Sequence, residues 1–136
     1  MVLEDSIMVL RLLIAAILGG AIGYQREKVG KAAGLRTHML IAVGSALFTL
    51  VSVYAFSGVP VDPSRIAAGV VTGVGFIGAG VIFLRPKEHI VSGLTTASTI
   101  WVAAGIGVAV GSGLYLAAVA CTVIVLIVLF LPHLNK

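Results

Sequence analysis

Two copies of one short element stand out for chemistry: Gly34-Leu35-Arg36-Thr37 and Gly93-Leu94-Thr95-Thr96, each eight residues after an arginine, Arg26 and Arg85. A glycine leading into an apolar run marks a helix start, where unpaired backbone N–H groups and the positive end of the helix dipole favour an anion. Arg26, Glu27, Arg36, Thr37, His38, Arg85, Gly93 and Thr96 therefore form a candidate cytoplasmic recognition or anion-binding surface, with Lys28, Lys31 and Lys87 at the same level. The plainer reading of the same charges is topology-setting contact with anionic lipid, worth about 1 kcal/mol per residue.

Other chemistries find little support. There is no Gly-x-Ser-x-Gly, no P-loop and no dinucleotide turn, and Gly78-Ala79-Gly80 lacks a strand-to-helix context, so an enzyme is not expected. No cofactor is expected. Glu27, Asp62 and Glu88 fall at the ends of apolar runs, and the groups inside the runs are hydroxyls: Ser45, Thr49, Thr72, Ser98 and Thr99. Magnesium prefers carboxylate oxygens and releases its water reluctantly, so no dehydrated magnesium site is expected, although a hydroxyl or carbonyl path for another ion stays open. Cys121 is the sole cysteine, and His38, His89 and His133 have no metal-ligand spacing, so no metal site is predicted.

These residues hang on a strongly apolar chain. It has 136 residues, 60% hydrophobic and 10% charged, with a mean hydropathy of +1.18. Five runs, Ile7 to Tyr24, Thr37 to Phe56, Ile66 to Leu84, Thr95 to Val110 and Leu114 to Leu131, are near the ~20 residues that cross a bilayer as helix. The fold class is an all-α integral membrane protein with about five spans in a single domain, 1–136, and no soluble C-terminal domain. Basic residues gather after spans 1 and 3, whereas Glu4, Asp5 and Asp62 lie on the other side with Arg65. The positive-inside rule then places the N-terminus outside and the C-terminus in the cytoplasm. The formal charge of +4 is spent on topology, and no nucleic-acid partner is expected. Arg11, one turn into span 1, is expected to snorkel or to pair with Glu4 or Asp5. The stretch before span 1 is acidic, unlike a cleaved signal.

Shifting the chain by 59 positions superposes Gly19 on Gly78, Arg26 on Arg85, Lys28 on Lys87, Gly34 on Gly93, Leu35 on Leu94 and Thr37 on Thr96. The implied architecture is two helical hairpins, spans 1–2 and 3–4, repeated in parallel about an axis along the membrane normal, plus a fifth helix facing lipid. Helix packing is assigned to Gly19, Gly23, Gly69, Gly73, Gly75, Gly78, Gly80, Gly107 and Gly111, three pairs of which sit one turn apart. The four glycines from Gly73 to Gly80 make span 3 either a central helix or a locally irregular one. Asp62-Pro63 reads as the N-cap of span 3, and Gly111-Ser112-Gly113 as a tight turn. The copies differ at His38, opposite Ala97, and at Trp101, opposite Ala42, predicting an imidazole at the interface and an indole inside the bundle.

Gly23 with Arg26-Glu27, Ala33-Gly34-Leu35-Arg36-Thr37-His38, Asp62-Pro63-Ser64-Arg65-Ile66-Ala67-Ala68, Gly73-Val74-Gly75-Phe76-Ile77-Gly78-Ala79-Gly80, Gly93-Leu94-Thr95-Thr96-Ala97 and Trp101-Val102-Ala103-Ala104 resemble the membrane domain of the MgtC/SapB family. The resemblance implies a multi-pass protein of the bacterial inner membrane, linked to low magnesium, acid stress and survival inside host cells. It also implies regulation of a membrane complex such as the proton-translocating ATP synthase. Expected partners are the lipid bilayer, a membrane protein complex and further copies of the chain. A small ion or solute conduit, working as a homo-oligomer, is the alternative.

Overall fold

The computed structural model describes residues 2–56, 60, 62–85 and 90–132. Among them the order of elements is α1 (Val2–Lys28), α2 (Leu35–Tyr54), α3 (Ser64–Ala79), β1 (Phe83–Arg85), β2 (Ile90–Ser92), α4 (Leu94–Gly111) and α5 (Tyr115–Phe130). Lys87, Glu88, His89, His133 and Lys136 lie outside the described residues, as does most of the turn before Asp62. The described residues are helical apart from one short hairpin and the turns between elements. α1, α2 and α4 are long and apolar enough to cross a membrane, with mean hydropathies of 2.1, 1.6 and 1.5. α3 and α5 are apolar but have 16 residues each, about 24 Å of helix.

The third apolar run stops being helical at Ala79. Gly80 closes the helix, its N–H reaching the Phe76 and Ile77 carbonyls, and Phe83-Leu84-Arg85 then pairs antiparallel with Ile90-Val91-Ser92. Aromatic and β-branched residues favour that extended pairing, which a hydropathy window does not separate from a helix. At its other end α3 begins at Ser64 with Pro63 in the capping place, one residue later than the sequence sets it. Asp62 Oδ1 accepts the Ser64 N–H at 2.9 Å, and this bond together with the Ser64 hydroxyl holds the Asp62 carboxyl below the usual range for its type.

The core is built from small residues. Ala15, Ile22, Ala42, Ala46, Ile106, Val110 and Ala118 form one buried cluster between α1, α2, α4 and α5, and Ala33, Val74, Ile100 and Ala104 form a second beside α3. In a bilayer the hydrophobic effect does not drive helices together, so close approach and dispersion must. A Cβ on Gly19 would stand 2.6 Å from Ala42 Cβ, one on Gly23 2.7 Å from the Gly34 carbonyl oxygen, and one on Gly111 2.8 Å from the Ala46 carbonyl oxygen, while one on Gly107 would overlap the Ala42 carbonyl. These four glycines weld α1, α2 and α4 together.

The contacts also set directions. Along α2 and α4, His38 meets Thr99, and Gly107 and Gly111 meet Ala42 and Ala46, so the two helices advance together and are parallel. α1 runs against both: Gly19 meets Ala42, Gly23 meets Gly34, and Arg26 meets Thr96. Both hairpins therefore point the same way, with their bends at one end of the bundle. The repeat is also visible in packing, since Gly19 sits against α2 at His38 and its counterpart Gly78 sits against α4 at Ala97.

α3 is not the central helix. Only Val74 and Gly78 are buried along it, Phe76 is 87% exposed, and Gly69, Gly73 and Gly75 would carry a Cβ with nothing within 4 Å. Gly80 meets only carbonyls of its own helix. The helix is continuous but stands off, leaving an apolar groove of about 750 Å³ against α2, lined by Leu40, Gly44, Phe48, Gly69 and Gly73 with Arg65. On its other flank Trp101 lines a second groove and is 54% exposed, outside the bundle interior where the sequence places it. α5 presents Leu116, Val123, Ile124 and Ile127 outward and buries Ala118 and Thr122.

Candidate functional site

The bend between α1 and α2 is held by its own residues. Lys31 and Gly30 N–H groups return to the Arg26 and Glu27 carbonyls, and Glu27 Oε2 accepts the Leu35 N–H at 2.8 Å. That carboxylate caps α2, a favourable place for negative charge. Gly34 makes room for it, because a Cβ there would lie 2.6 Å from the same oxygen. The bend between β2 and α4 is different: Gly93 has φ +90, and a Cβ on it would collide with the Val81 carbonyl. Only glycine meets both conditions.

Behind these bends lies a buried polar cluster that joins three helices. Arg26, 4% exposed, donates from Nη2 to Thr96 Oγ1 at 3.0 Å. His38, fully buried, faces the Gly34 carbonyl with Nδ1 at 2.9 Å and Thr99 Oγ1 with Nε2 at 3.0 Å. A carbonyl only accepts, so Nδ1 carries hydrogen. The Thr99 hydroxyl also stands 2.9 Å from the Thr96 carbonyl. A neutral ring takes the Thr99 hydrogen at Nε2, whereas a doubly protonated ring donates to Thr99 and turns its hydrogen to Thr96. Among the described residues Arg26 Nε has no hydrogen-bond partner.

The structure thus gathers Arg26, His38 and Thr96 but encloses them between helices. Glu27 and Arg36 are exposed, Thr37 and Gly93 half-buried, and Arg85 ends strand β1. Thr99 belongs to the cluster; the sequence counts it among the hydroxyls inside the apolar runs but not in the candidate surface. The signal for it was the Thr96-x-x-Thr99 spacing, which puts two hydroxyls on one helix face. Among the described residues no three His, Cys, Asp or Glu side chains converge as a metal site would need.

A second polar knot closes the opposite end. Arg11 donates to Tyr115 at 2.9 Å, Tyr54 at 3.3 Å and the Gly111 carbonyl at 2.7 Å, with its guanidinium 5.9 Å from both ring centroids. Its chemistry ties α1 to the ends of α2, α4 and α5 that lie farthest from the two bends. The charge needs these acceptors because it lies inside an apolar helix.

Close-packed apolar helices of spanning length, polar knots at both ends and outward-facing leucine, isoleucine and phenylalanine define an α-helical membrane protein. The chain belongs to the MgtC family, whose model matches residues 12–135. It is 55% identical over 131 residues to "Putative magnesium transporter YhiD" of Escherichia coli K12, covering 92% of this chain and 60% of that protein. It is 46% identical to "Protein SapB" of Bacillus subtilis 168 over 135 residues, 94% of this chain and 58% of the relative. Against "Protein MgtC" of Salmonella typhimurium LT2 the identity is 47% over 118 residues, 87% and 49% of the two chains. The chain therefore spans about half to three-fifths of the length of these relatives. No solved structure gives a significant match.

Proposed function

We propose that the chain is the membrane-embedded part of a non-enzymatic regulator in the bacterial inner membrane, acting under magnesium or acid stress. All five helices cross the bilayer as two parallel-repeat hairpins plus α5, with the N-terminus outside and both bends in the cytoplasm. The short α3 and α5 are accommodated by flanking apolar residues and local thinning of the bilayer. The exposed charges at the cytoplasmic end, Glu27, Lys28, Lys31 and Arg36, dock onto another membrane complex, of which the proton-translocating ATP synthase is one candidate.

The observation that carries this reading is the close packing of α1, α2 and α4 on Gly19, Gly23, Gly107 and Gly111. It leaves no room between those helices for a hydrated cation. The large groove against α3 opens sideways and is lined by apolar residues apart from Ser45 and Arg65. The second reading, an ion conduit formed in a homo-oligomer, is favoured by the name of the YhiD relative and needs a path between copies.

Magnesium flux into proteoliposomes holding the purified protein separates the two. The regulator gives flux no greater than empty vesicles, and Arg36→Ala abolishes the stress phenotype in cells while abundance stays normal. Saturable magnesium flux, or a phenotype unaffected by Arg36→Ala at normal abundance, overturns the proposal.

A further inference from the structure

Between α2 and α3 lies an apolar groove of about 750 Å³ that opens sideways, toward lipid in a bilayer. Leu40, Gly44 and Phe48 form its α2 wall, and Arg65, Gly69 and Gly73 stand on the α3 side. Leu40 and Phe48 are 72% and 57% exposed, so that wall is accessible to whatever enters. Gly44, Gly69 and Gly73 would carry a Cβ with nothing within 4 Å among the described residues. A void of this size forfeits dispersion contacts along every wall, and apolar walls offer water too few partners to hold it. In a bilayer the groove is therefore filled by something apolar.

Length and charge identify the filler. From Arg65 to Ile77, both in the lining, α3 rises about 18 Å. One leaflet of a ~30 Å hydrocarbon core is about 15 Å deep, so the groove has the reach of one acyl chain and falls short of a spanning helix. Arg65, exposed in the first turn of α3, is the one charged residue among the described lining. α3 starts level with the last turn of α2, where the Ser52 hydroxyl donates to the Pro63 carbonyl at 2.7 Å. Arg65 thus stands close beneath the outer head groups, and the Asp62 carboxylate nearby is turned to the Ser64 N–H. A guanidinium at the mouth of an apolar slot complements a phosphate carried on an acyl chain. A second copy fits less well, because pairing α3 with α3 about an axis along the membrane normal sets Arg65 against its own counterpart.

We propose that this groove binds one anionic phospholipid, an acyl chain lying along Gly44, Gly69 and Gly73 with the head-group phosphate on Arg65. The glycines let a methylene chain lie close to both helix backbones, while Leu40 and Phe48 flank it on α2. The site rests on the reading that α3 crosses the bilayer from the outer side. It does not depend on what the protein regulates, because occupancy is measured on purified protein.

The test is tryptophan quenching by lipids brominated on the acyl chain. Trp101, the sole tryptophan, is changed to phenylalanine, and single reporters are introduced in the full chain. Phe48→Trp reports on the groove, Phe76→Trp on the outward face of α3 and Leu116→Trp on α5, the last two at positions 87% and 85% exposed. The protein is reconstituted in phosphatidylcholine containing equal mole fractions of brominated phosphatidylglycerol or brominated phosphatidylcholine. Quenching at Phe48→Trp should favour phosphatidylglycerol about fivefold in relative binding constant, as one cation at head-group level provides. Leu116→Trp shows no preference, and Arg65→Gln removes the preference in the groove while quenching by both lipids persists. If Phe48→Trp fails to fold, Leu40→Trp at the other end of the groove carries the same measurement. Equal quenching by the two lipids in the groove, or a preference that survives Arg65→Gln, overturns the proposal. So does a groove reporter shielded from both lipids, which gives the space to a second copy or to another part of this chain. Phe76→Trp keeps the two readings apart: quenching there without a preference in the groove sinks the lipid site alone, whereas no quenching there sinks the crossing of α3 as well.

Discussion

Gly19 and Gly73 are the same residue in the same one-turn glycine spacing, yet they stand in opposite surroundings. A Cβ on Gly19 meets Ala42 Cβ at 2.6 Å and the His38 carbonyl oxygen at 2.7 Å, whereas one on Gly73 meets nothing. Gly19→Ala should therefore destabilise by about 1–3 kcal/mol, the usual cost of overpacking. Gly73→Ala should be neutral or stabilising, by up to about 1 kcal/mol. Unfolding in mixed micelles measures both, and equal losses would contradict the packing described for α1 and α2. Arg26 and Arg11 teach a related lesson. Both look from sequence like interfacial cations, but one is enclosed against Thr96 and the other is shared among two tyrosines and a carbonyl.

Among the elements, α3 is the least anchored. Its start depends on the Asp62 carboxylate receiving the Ser64 N–H, and this lowers the carboxyl pKa. A group whose folded pKa is depressed contributes stability above its unfolded pKa and loses it as pH falls through the folded value. Protection of the first α3 amides, corrected for intrinsic exchange, should hold at neutral pH and decline below about pH 4, the ordinary carboxylate range. Asp62→Ala should show low protection throughout and no such decline. An unchanged pH dependence in the variant would remove Asp62 from the cap. The cap was legible because aspartate before proline names a helix start by local chemistry. The hairpin of β1 and β2 was not, because its pairing partners stand apart in the chain and its strands are as apolar as the helix before them.

For the whole molecule, the decisive relation is that α2 and α4 run parallel, which puts both bends at one end and Arg11 with Tyr54 and Tyr115 at the other. In a Cys121→Ser background, Lys31→Cys should react with a membrane-impermeant maleimide only from the cytoplasmic side, and Ser112→Cys only from outside. Labelling of both from one side would refute the arrangement. The 59-residue repeat already carried this shared direction, since matched loops imply matched hairpins.

From sequence alone came the membrane character, the order of the five helices, the 59-residue repeat, the MgtC/SapB resemblance and the part of Asp62 in starting α3. All of these are written in local composition and spacing. Tertiary structure alone decided which glycines are used for packing, that α2 and α4 rather than α3 are central, and that Arg26 and His38 are buried beside Thr96 and Thr99. Periodicity shows which residues share a helix face, but only assembly determines which face meets a neighbour. A buried cation's partner is supplied by another helix, 70 residues away in the case of Arg26 and Thr96.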